Sequence, residues 1–330
     1  CLLANMFLCT FNEESEAMKS YNRATLLPLL VKREKQENAK LRCFMNYFNR
    51  IRREEPEGNL CFIRTSVGRG GAKHTRPDGV DWAGSSRPLL PLTASADGTI
   101  EDTRDALHVD FANRMIGGGV ISGGCVQEEI RFAICPELTV SLLLCEAMGE
   151  KEAILISGFE RFSSCTGYAG TLDWGGDHRD PCPWSADGSL ASIVTCIDAT
   201  DYRLRGYDIF EVQLEREVMQ RELLKSFAGF NLAPWGHVLG ERASLPTVAT
   251  GNWGCGAFGG HKEIKALLQW MSASQCGLSV RYMSFGEREF AEELGELCAA
   301  LVSQGVTVGQ LWAACVSMKG AEEAAKGAVR

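Results

Sequence analysis

Short β-type runs alternate with longer helical runs from about residue 99 onward, and this alternation is the feature that most constrains the fold. The strand patterns span 106–111, 152–157, 192–198, 246–250 and 278–285. The helical patterns span 128–134, 136–148, 210–227, 261–271 and 287–303. Such alternation predicts an α/β fold with a parallel or mixed sheet that is covered by helices on both faces. Sheets of this kind bind ligands beyond the carboxyl ends of their strands.

The region before this alternation has two parts of different composition. Residues 12–55 are rich in helix formers, and apolar residues at positions 41, 44, 45, 48 and 51 have the spacing of an amphipathic helix. Residues 66–98 concentrate Gly, Pro, Ser and Asp without a period. We therefore expect a helical accessory region at 1–65, an irregular connection at 66–98 and an α/β domain at 99–330.

The charge balance limits the kinds of partner. The 330 residues include 42 acidic and 34 basic ones, for a formal net charge of -8. Because proteins that hold duplex nucleic acid by bulk charge need a cationic surface, we expect no direct binding to duplex nucleic acid. No run of about 18 apolar residues occurs, so we also expect no membrane span.

The cysteines and histidines give no sign of a metal site. The 14 cysteines form no CxxC pair, and no histidine has a partner at metal-ligand spacing. A reduced thiol among apolar residues behaves as a small hydrophobe, so we expect a reducing compartment, which is the nucleus, the cytoplasm or both. The chain begins at Cys1 without a secretory signal, and we expect that its true N-terminus and any targeting signal precede this residue.

Two glycine clusters follow predicted strands and precede predicted helices. The first, VDFANRMIGGG at 109–119, leads to Gln127-Glu128-Glu129, and the second is TGNWGCGAFGG at 250–260. Glycine clusters let backbone N–H groups approach and surround an anion, so each is a candidate phosphate cradle. The spacing of the second cluster, with Glu287 downstream, also permits a nicotinamide-dependent oxidoreductase, although this acid lies further off than the usual ~20 residues. A simple connecting turn is a further alternative.

The first cluster combines Asp110, Asn113, three glycines and a carboxylate pair, and it resembles the poly(ADP-ribose) glycohydrolase family, whose signature is GGG followed by QEE. The resemblance continues through TGYA at 166–169, ATGNWGCGAFGG at 249–260 and SFG at 284–286. It implies a macrodomain-like three-layer α/β/α fold with a mixed sheet and a helical N-terminal accessory region. The implied activity is hydrolysis of ribose–ribose bonds in poly(ADP-ribose), mainly from chain ends, with release of ADP-ribose. The implied partners are poly(ADP-ribose) and ADP-ribosylated proteins, the protein is expected to be a monomer, and no cofactor is implied.

The resemblance also implies catalytic roles. Cleavage of the bond needs a proton donor and stabilisation of an oxocarbenium-like centre. By resemblance Glu129 is the acid and then the base, and it becomes a competent acid mainly once the anionic substrate is bound. Since neighbours on a helix lie about 100° apart, we expect that Glu128 and Glu129 cannot point at one atom, and that Glu128 and Asn113 orient ribose hydroxyls. Asp110 is expected to orient the glycine loop or to contact the substrate.

The remaining site residues follow from the same resemblance. The diphosphate lies against the three glycines, Phe258 and the second cluster close the other side, Phe285 stacks on adenine, and Tyr168 caps the cleft. The candidate substrate-binding residues are Ile100, Glu101, Asn113, Gly117, Gly118, Gly119, Gln127, Tyr168, Asn252, Gly256, Ala257, Phe258 and Phe285. Cys165 stands where the family usually has an aromatic residue.

Each assignment has an alternative. The two glutamates are also compatible with a solvated helix start, and Phe285 with an ordinary core position. His108 is expected to be a packing residue, and Cys125 has no nearby cation in sequence that would activate its thiol. A non-catalytic ADP-ribose reader with the same fold would need only the glycine clusters and the aromatic residues.

Overall fold

The computed structural model describes residues 34–68, 80–203 and 209–328, together with Tyr21 and Leu29. Most of the expected helical pattern before residue 34 lies outside these residues. The strands are β1 Cys61–Ser66, β2 Leu92–Ser95, β3 Leu107–Asp110, β4 Glu152–Ser157, β5 Ser163–Thr166, β6 Asp173–Asp177, β7 Ile193–Cys196, β8 Thr247–Gly251 and β9 Ser279–Met283. The α-helices are α1 Lys35–Ile51, α2 Gln127–Ile134, α3 Ser141–Leu144, α4 Ile209–Gln213, α5 Arg216–Phe230, α6 Gly236–Leu239, α7 Lys262–Cys276, α8 Arg288–Ser303 and α9 Val308–Ala328.

Seven strands form one mixed sheet in the order β1-β4-β7-β3-β8-β9-β2. The pairs from β7 to β2 are parallel, and β4 runs antiparallel to both of its neighbours. The five strands expected from the sequence are all present and include the centre of the sheet. The carboxyl ends of β3 and β8 therefore meet at one edge, where both glycine clusters begin. This confirms the predicted α/β class with a mixed sheet.

Alternation along β4 shows how the sheet is covered. Ala153 and Leu155 belong to the apolar cluster that includes α5 and α7, whereas Ile154 and Ile156 belong to the cluster that includes α1 and α2. Because successive side chains of a strand point to opposite faces, each face of the sheet has its own helical layer. The structure is thus the three-layer α/β/α arrangement that the sequence predicted. No helix of the described residues is both long and apolar enough to cross a membrane.

Some element boundaries differ from the sequence expectation. Strand β1 lies inside the expected helical region and pairs with β4 along its whole length, and β2 lies inside the expected irregular connection. A four-residue edge strand is too short to show a period, so only its pairing with β9 reveals it. The helix expected over 136–148 is a 3-10 helix, Pro136–Val140, followed by α3, and the helix expected over 210–227 is divided into α4 and α5.

Helix α1 is the described part of the expected accessory region, and it packs on α2 and on the β5–β6 hairpin. The helix itself is confirmed, but its buried face differs from the predicted one. Lys40, Cys43, Phe44 and Tyr47 are buried, whereas Met45 is exposed. A buried lysine and a buried cysteine shift the face by one position relative to the apolar pattern.

Candidate functional site

The site lies at the sheet edge where the neighbouring strands β3 and β8 end. We call residues 111–126, between β3 and α2, the first glycine loop. Residues 252–261, between β8 and α7, are the second glycine loop. Because the two strands are paired, their loops leave the sheet side by side.

The carboxylate of Glu128 closes the first half of the first glycine loop. Its Oε2 accepts a hydrogen bond from the backbone N–H of Asn113 at 2.8 Å, and its Oε1 accepts one from Gly117 at 2.6 Å. Burial raises the pKa of Glu128 well above its usual range, and the charges of Asp110 and Glu129 add to the effect. Glu128 is therefore a buried acid that shapes the loop, and not a solvated residue at a helix start.

The carboxylate of Glu129 closes the second half of this loop and is also buried. Its Oε1 accepts a hydrogen bond from the backbone N–H of Gly119 at 2.8 Å, and its Oε2 accepts one from Val126 at 2.8 Å. The second bond satisfies a free N–H group at the start of α2, as the third helical residue does in a capping box.

The two carboxylates converge on Gly118. A Cβ atom added there would meet Oε1 of Glu129 at 2.5 Å and Oε2 of Glu128 at 2.6 Å. The expectation that successive glutamates cannot point at one atom is therefore wrong, because three side-chain torsions let each carboxylate turn back toward the loop. Gly118 has a φ of 47°, so the space and the backbone conformation both favour glycine.

The amides of the GGG sequence are already used inside the chain. Gly117 and Gly119 donate to the two glutamates, and Gly118 donates to the carbonyl of Met115 at 3.2 Å. The predicted phosphate cradle of N–H groups at 117–119 is therefore wrong in its mechanism. Another form of substrate contact at these glycines stays a prediction.

Asp110 ends β3 and is fully buried. Neither of its carboxyl oxygens has a hydrogen-bond partner within the described part of the chain. Burial raises the pKa of Asp110 to about 8, against the opposing charge of Arg131. The carboxyl group is thus mostly protonated at neutral pH, and the loop is held by Glu128 and Glu129. No hydrogen bond from Asp110 to the loop supports the expectation that this acid orients it, and both that role and a contact with substrate stay predictions.

Gln127 ties the end of β3 to the segment that precedes it. Its Oε1 accepts a hydrogen bond from Phe111 N–H at 2.8 Å, and its Nε2 donates to the carbonyl of Val109 at 3.3 Å and to Glu101 at 3.4 Å. Ile100, next to Glu101, is buried in an apolar cluster. The side chains of Gln127 and Ile100 are therefore buried beneath the site. Only the exposed groups of the segment around Glu101 are available to contact the edge of an adenine ring.

His108 is a packing residue, as predicted. Its Nε2 lies 2.6 Å from the carbonyl oxygen of Thr103, and Arg131 lies 3.0 Å from its Nδ1. Burial and the charge of Arg131 lower the pKa of His108 to about 3. The ring is therefore neutral and takes no part in acid–base chemistry near pH 7.

Tyr168 covers the first glycine loop from the β5–β6 side, with 51% of the residue exposed. Burial of its hydroxyl raises the pKa of Tyr168, and the charge of Glu129 adds to the effect. The next residue, Ala169, donates its N–H to the carbonyl of Cys125 at 3.1 Å. The thiol of Cys125 is not activated, because burial raises its pKa to about 11.

The second glycine loop is held at its base by Trp253 and Asn252. The buried indole of Trp253 donates to the carbonyl of Ile197 at 2.9 Å. The side chain of Asn252 accepts from the Tyr282 hydroxyl at 2.9 Å and donates to the carbonyl of Ser284 at 3.1 Å. The side-chain amide of Asn252 thus joins the ends of β8 and β9 and still keeps one N–H and one lone pair, so its contact with a ligand stays a prediction.

The tip of the second glycine loop differs from its base. The backbone N–H groups of Gly256, Ala257 and Phe258 have no acceptor among the described residues. Gly256 and Ala257 are exposed, and a Cβ atom added at Gly256 would meet nothing within 4 Å. Successive free N–H groups in a glycine-rich turn are the usual backbone site for an anion.

Phe285 follows β9 and lies against Gly251, where β8 ends and the second glycine loop begins. It is 42% exposed, which overturns the alternative of a core position. Its φ of 55° is unusual for a residue with a side chain, and a Cβ atom added at Gly251 would meet its ring at 3.1 Å. The ring is therefore supported by the backbone of β8 and leaves surface free for a flat ligand.

A cavity of about 630 Å³ joins the two loops, since Asn113 and Phe258 both line it. The side chain of Asn113 is exposed there, and its Oδ1 accepts from Met115 N–H at 3.0 Å. The other walls of the cavity carry charged residues of both signs, including Asp198 and Arg221. Cavities of this size commonly hold small molecules.

Comparison with known proteins assigns the chain to a family. A family model described as poly(ADP-ribose) glycohydrolase, Macro domain fold, matches residues 80–292, which is more than half of the chain. A second model, described as the helical domain of poly(ADP-ribose) glycohydrolase, matches residues 1–64.

The chain belongs to the poly(ADP-ribose) glycohydrolase family.

Curated relatives agree with this assignment. The chain is 33% identical to the probable poly(ADP-ribose) glycohydrolase 2 of Arabidopsis thaliana, over 94% of this chain and 66% of that protein. It is 34% identical to poly(ADP-ribose) glycohydrolase 1 of Caenorhabditis elegans, over 83% of this chain and 34% of that protein. The chain thus spans less than two thirds of the length of the curated relatives it matches.

Membership of the glycohydrolase family excludes the oxidoreductase interpretation of the second glycine loop. In a dinucleotide site the downstream acid must be free to bind a ribose hydroxyl. Here Glu287 forms an ion pair with Lys262 at the start of α7. The glycine spacing belongs to the glycohydrolase motif that carries it.

One residue of the glycohydrolase site was missed by the sequence analysis. The fully buried ammonium group of Lys40 donates to the carbonyl oxygens of Gly119 at 3.2 Å, Ser122 at 2.6 Å and Gly124 at 2.5 Å. Helix α1 thereby holds the first glycine loop from behind. A lysine three and four positions before Cys43 and Phe44 is the only sequence signal for this contact.

Proposed function

We propose that the chain hydrolyses ribose–ribose O-glycosidic bonds of poly(ADP-ribose), mainly from chain ends, and releases ADP-ribose. The observation that carries the proposal is the convergence of two buried carboxylates, Glu128 and Glu129, on Gly118 in a member of this family. Two buried acids beside an anionic ligand weaken binding through charge repulsion and desolvation. A module that only bound ADP-ribose would gain nothing from them.

Glu129 is the general acid and then the base. Its two oxygens each accept one backbone N–H, which orients the group and still leaves lone pairs for a proton. The protonated acid gives its proton to the departing 2′ oxygen while an oxocarbenium-like centre forms at C1″, and the carboxylate then takes a proton from the attacking water. Glu128 and Asn113 orient the ribose hydroxyls next to this bond.

The second glycine loop holds the diphosphate. The support for this assignment is the set of N–H groups at Gly256, Ala257 and Phe258, which have no acceptor among the described residues. The corresponding groups of the first glycine loop are occupied by the chain itself. Phe285, exposed against the same loop, stacks on adenine, and Tyr168 covers the ligand beside Glu129.

The test measures free ADP-ribose after the chain is incubated with poly(ADP-ribose). Glu129→Gln keeps the shape and removes the proton donor, so turnover is expected to fall by about 100-fold or more, with affinity for ADP-ribose unchanged within a few-fold. Glu137→Gln is the matched control, because Glu137 is buried but contacts Glu160 N–H away from the site, and it should retain turnover. Binding without release by the unmodified chain would instead establish a reader, and turnover by Glu129→Gln would place the acid elsewhere.

A further inference from the structure

Two thiols from distant parts of the chain meet behind the loop that carries Tyr168. The Sγ atoms of Cys43 on α1 and Cys165 on β5 lie 3.6 Å apart, although 122 positions separate them in sequence. Cys43 is buried, whereas Cys165 is only partly buried. We infer that the two cysteines are an oxidisable dithiol, which peroxide converts to a disulfide that ties α1 to the β5–β6 hairpin.

The geometry permits this bond with a small movement. A disulfide requires sulfur atoms about 2.05 Å apart, so a relative shift of roughly 1.5 Å is sufficient. Strand β5 has a register shift between Ser164 and Cys165, and such irregularities bend a strand locally. The hairpin is a two-stranded sheet separate from the main one, so it can move without disturbing the seven-stranded sheet.

The two sulfurs have different roles. The hydrogen bond between them raises the pKa of Cys43, with burial adding to the effect, and lowers the pKa of Cys165. The positive charge of Arg161 also favours the thiolate of Cys165. Because the thiolate is the reactive form and Cys165 is partly exposed, Cys165 is oxidised first and Cys43 resolves the product.

The chemistry balances with hydrogen peroxide as the oxidant. The Cys165 thiolate attacks one peroxide oxygen, the O–O bond breaks, and a sulfenic acid and hydroxide form. The Cys43 sulfur then attacks the Cys165 sulfur, the S–O bond breaks, and the thiol proton leaves with the departing hydroxide as water. Overall, two thiols and one hydrogen peroxide give one disulfide and two water molecules.

The disulfide would join two supports of the site. Helix α1 carries Lys40, which holds the first glycine loop, and β5 continues through Gly167 to Tyr168. Oxidation therefore fixes the hairpin to the helix that already holds the loop. The bond itself does not depend on the proposed catalytic function, so failure of one leaves the other standing.

Peptide mapping tests the inference on the full chain. Trypsin separates Cys43 in peptide 43–50, Cys165 in 162–179 and Cys125 in 115–131, each with a single cysteine. After hydrogen peroxide and alkylation of remaining thiols, we expect peptide 43–50 linked to 162–179, and loss of this species on reduction. The inference is overturned if Cys165 is instead oxidised to the sulfinic acid without a link, or is linked to Cys125, which lies in the same apolar cluster.

Hydrogen exchange gives a second readout. In the oxidised chain, amides of 163–177 should exchange at least several-fold more slowly than in the reduced chain, and reduction should restore the faster rate. Cys165→Ser should abolish both the linked peptide and the protection. Cys182→Ser, which removes another partly buried free thiol, should leave both intact, and loss of the link in this control would overturn the inference.

Discussion

The two glycine loops leave neighbouring strands of one sheet, yet they differ in whether their backbone N–H groups are occupied. In the first glycine loop, the N–H groups of Gly117 and Gly119 donate hydrogen bonds to the side chains of Glu128 and Glu129 on α2. The tip of the second glycine loop keeps three successive N–H groups without an acceptor among the described residues. Similar glycine-rich sequences therefore differ in what they can bind.

The difference shows what glycine contributes in each loop. At Gly118, glycine makes room for two acids that would otherwise collide with a side chain. At Gly256 a side chain would meet open space, so glycine there serves access to the backbone rather than packing. The first loop positions buried acids and the second exposes N–H donors, which is the arrangement that the proposed function uses for catalysis and for anion binding.

Adding one methyl group to each loop is the most direct test of whether the two loops have different roles. Gly118→Ala places a Cβ atom within about 2.6 Å of both carboxylates and forces alanine into a left-handed conformation. We expect turnover of poly(ADP-ribose) to fall by at least ~100-fold, with a destabilisation of about 1–3 kcal/mol. Turnover assays and thermal unfolding measure the two effects.

Gly256→Ala is the matched control for this change. Its Cβ atom meets nothing within 4 Å and its backbone conformation is not left-handed, so unfolding should not change. Because Gly256 belongs to the proposed diphosphate site, its effect should be on affinity for ADP-ribose, and turnover at saturating substrate should change by no more than a few-fold. Equal losses in both variants would contradict the division of roles between the loops.

Removal of the cation behind the first glycine loop is expected to have the next largest effect. Burial lowers the pKa of Lys40, yet its ammonium group is matched by three carbonyl acceptors. Lys40→Met leaves the buried carbonyls of Ser122 and Gly124 without this donor, whereas the Gly119 carbonyl still accepts from the Ser122 and Gly124 amides. We expect a destabilisation of about 3 kcal/mol, measured by urea unfolding. Turnover should fall as the acid pair loses its support.

Lys35→Met tests whether this effect belongs to the buried contact. Lys35 lies on the same helix but is exposed, and its ion pair among the described residues is with Asp173 at the surface, where ion pairs contribute little. It should unfold within about 0.5 kcal/mol of the unmodified chain. If Lys40→Met were as stable as this control, the contact of α1 with the first glycine loop would not stabilise the chain.

The contact of Lys40 also marks where sequence reasoning ends. The central strands are predictable because each is a short β-type run that alternates with a helical pattern. The motif residues are predictable because their types and order carry a family resemblance. Lys40 meets the loop across 79 to 84 positions, and no local pattern encodes such a pairing. The donors at 117–119 were misassigned for the same reason, since only the folded chain shows that Glu128 and Glu129 turn back to occupy them.

The pH dependence of stability depends on Asp110, the buried acid that precedes the first glycine loop. The pKa of Asp110 is about 8 in the folded chain and about 3.9 when unfolded. The folded state therefore binds more protons between these values, so stability falls as pH rises from about 4 to 8. Asp110→Asn should flatten this dependence, and its melting temperature relative to the unmodified chain should increase steadily from pH 5 to 8.

The flattening should be incomplete, because Glu128 and Glu137, whose pKa values are also raised, act in the same direction. Burial raises the pKa of Glu137 to about 7, so Asp110→Asn retains some slope and the double variant with Glu137→Gln should lose more of it. If the melting temperatures of Asp110→Asn and the unmodified chain differed by the same amount at every pH, the Asp110 carboxyl would be charged in the folded chain.

The smallest expected effect concerns salt, and it tests the second glycine loop directly. If neutral N–H groups at 256–258 hold one diphosphate, few counterions are released on binding, and the logarithm of affinity should fall with the logarithm of salt concentration with a slope of about -2 or shallower. Binding of poly(ADP-ribose) by Glu129→Gln between 50 and 300 mM salt measures this slope without turnover. A slope several times steeper would require a cationic groove that contacts many phosphates. The cavity wall contains two arginines, of which Arg221 is already paired with Asp198, Glu150 and Glu222. Arg114 and the backbone N–H groups at 256–258 are therefore left to contact the anion, which is too few cations for a groove of many phosphates.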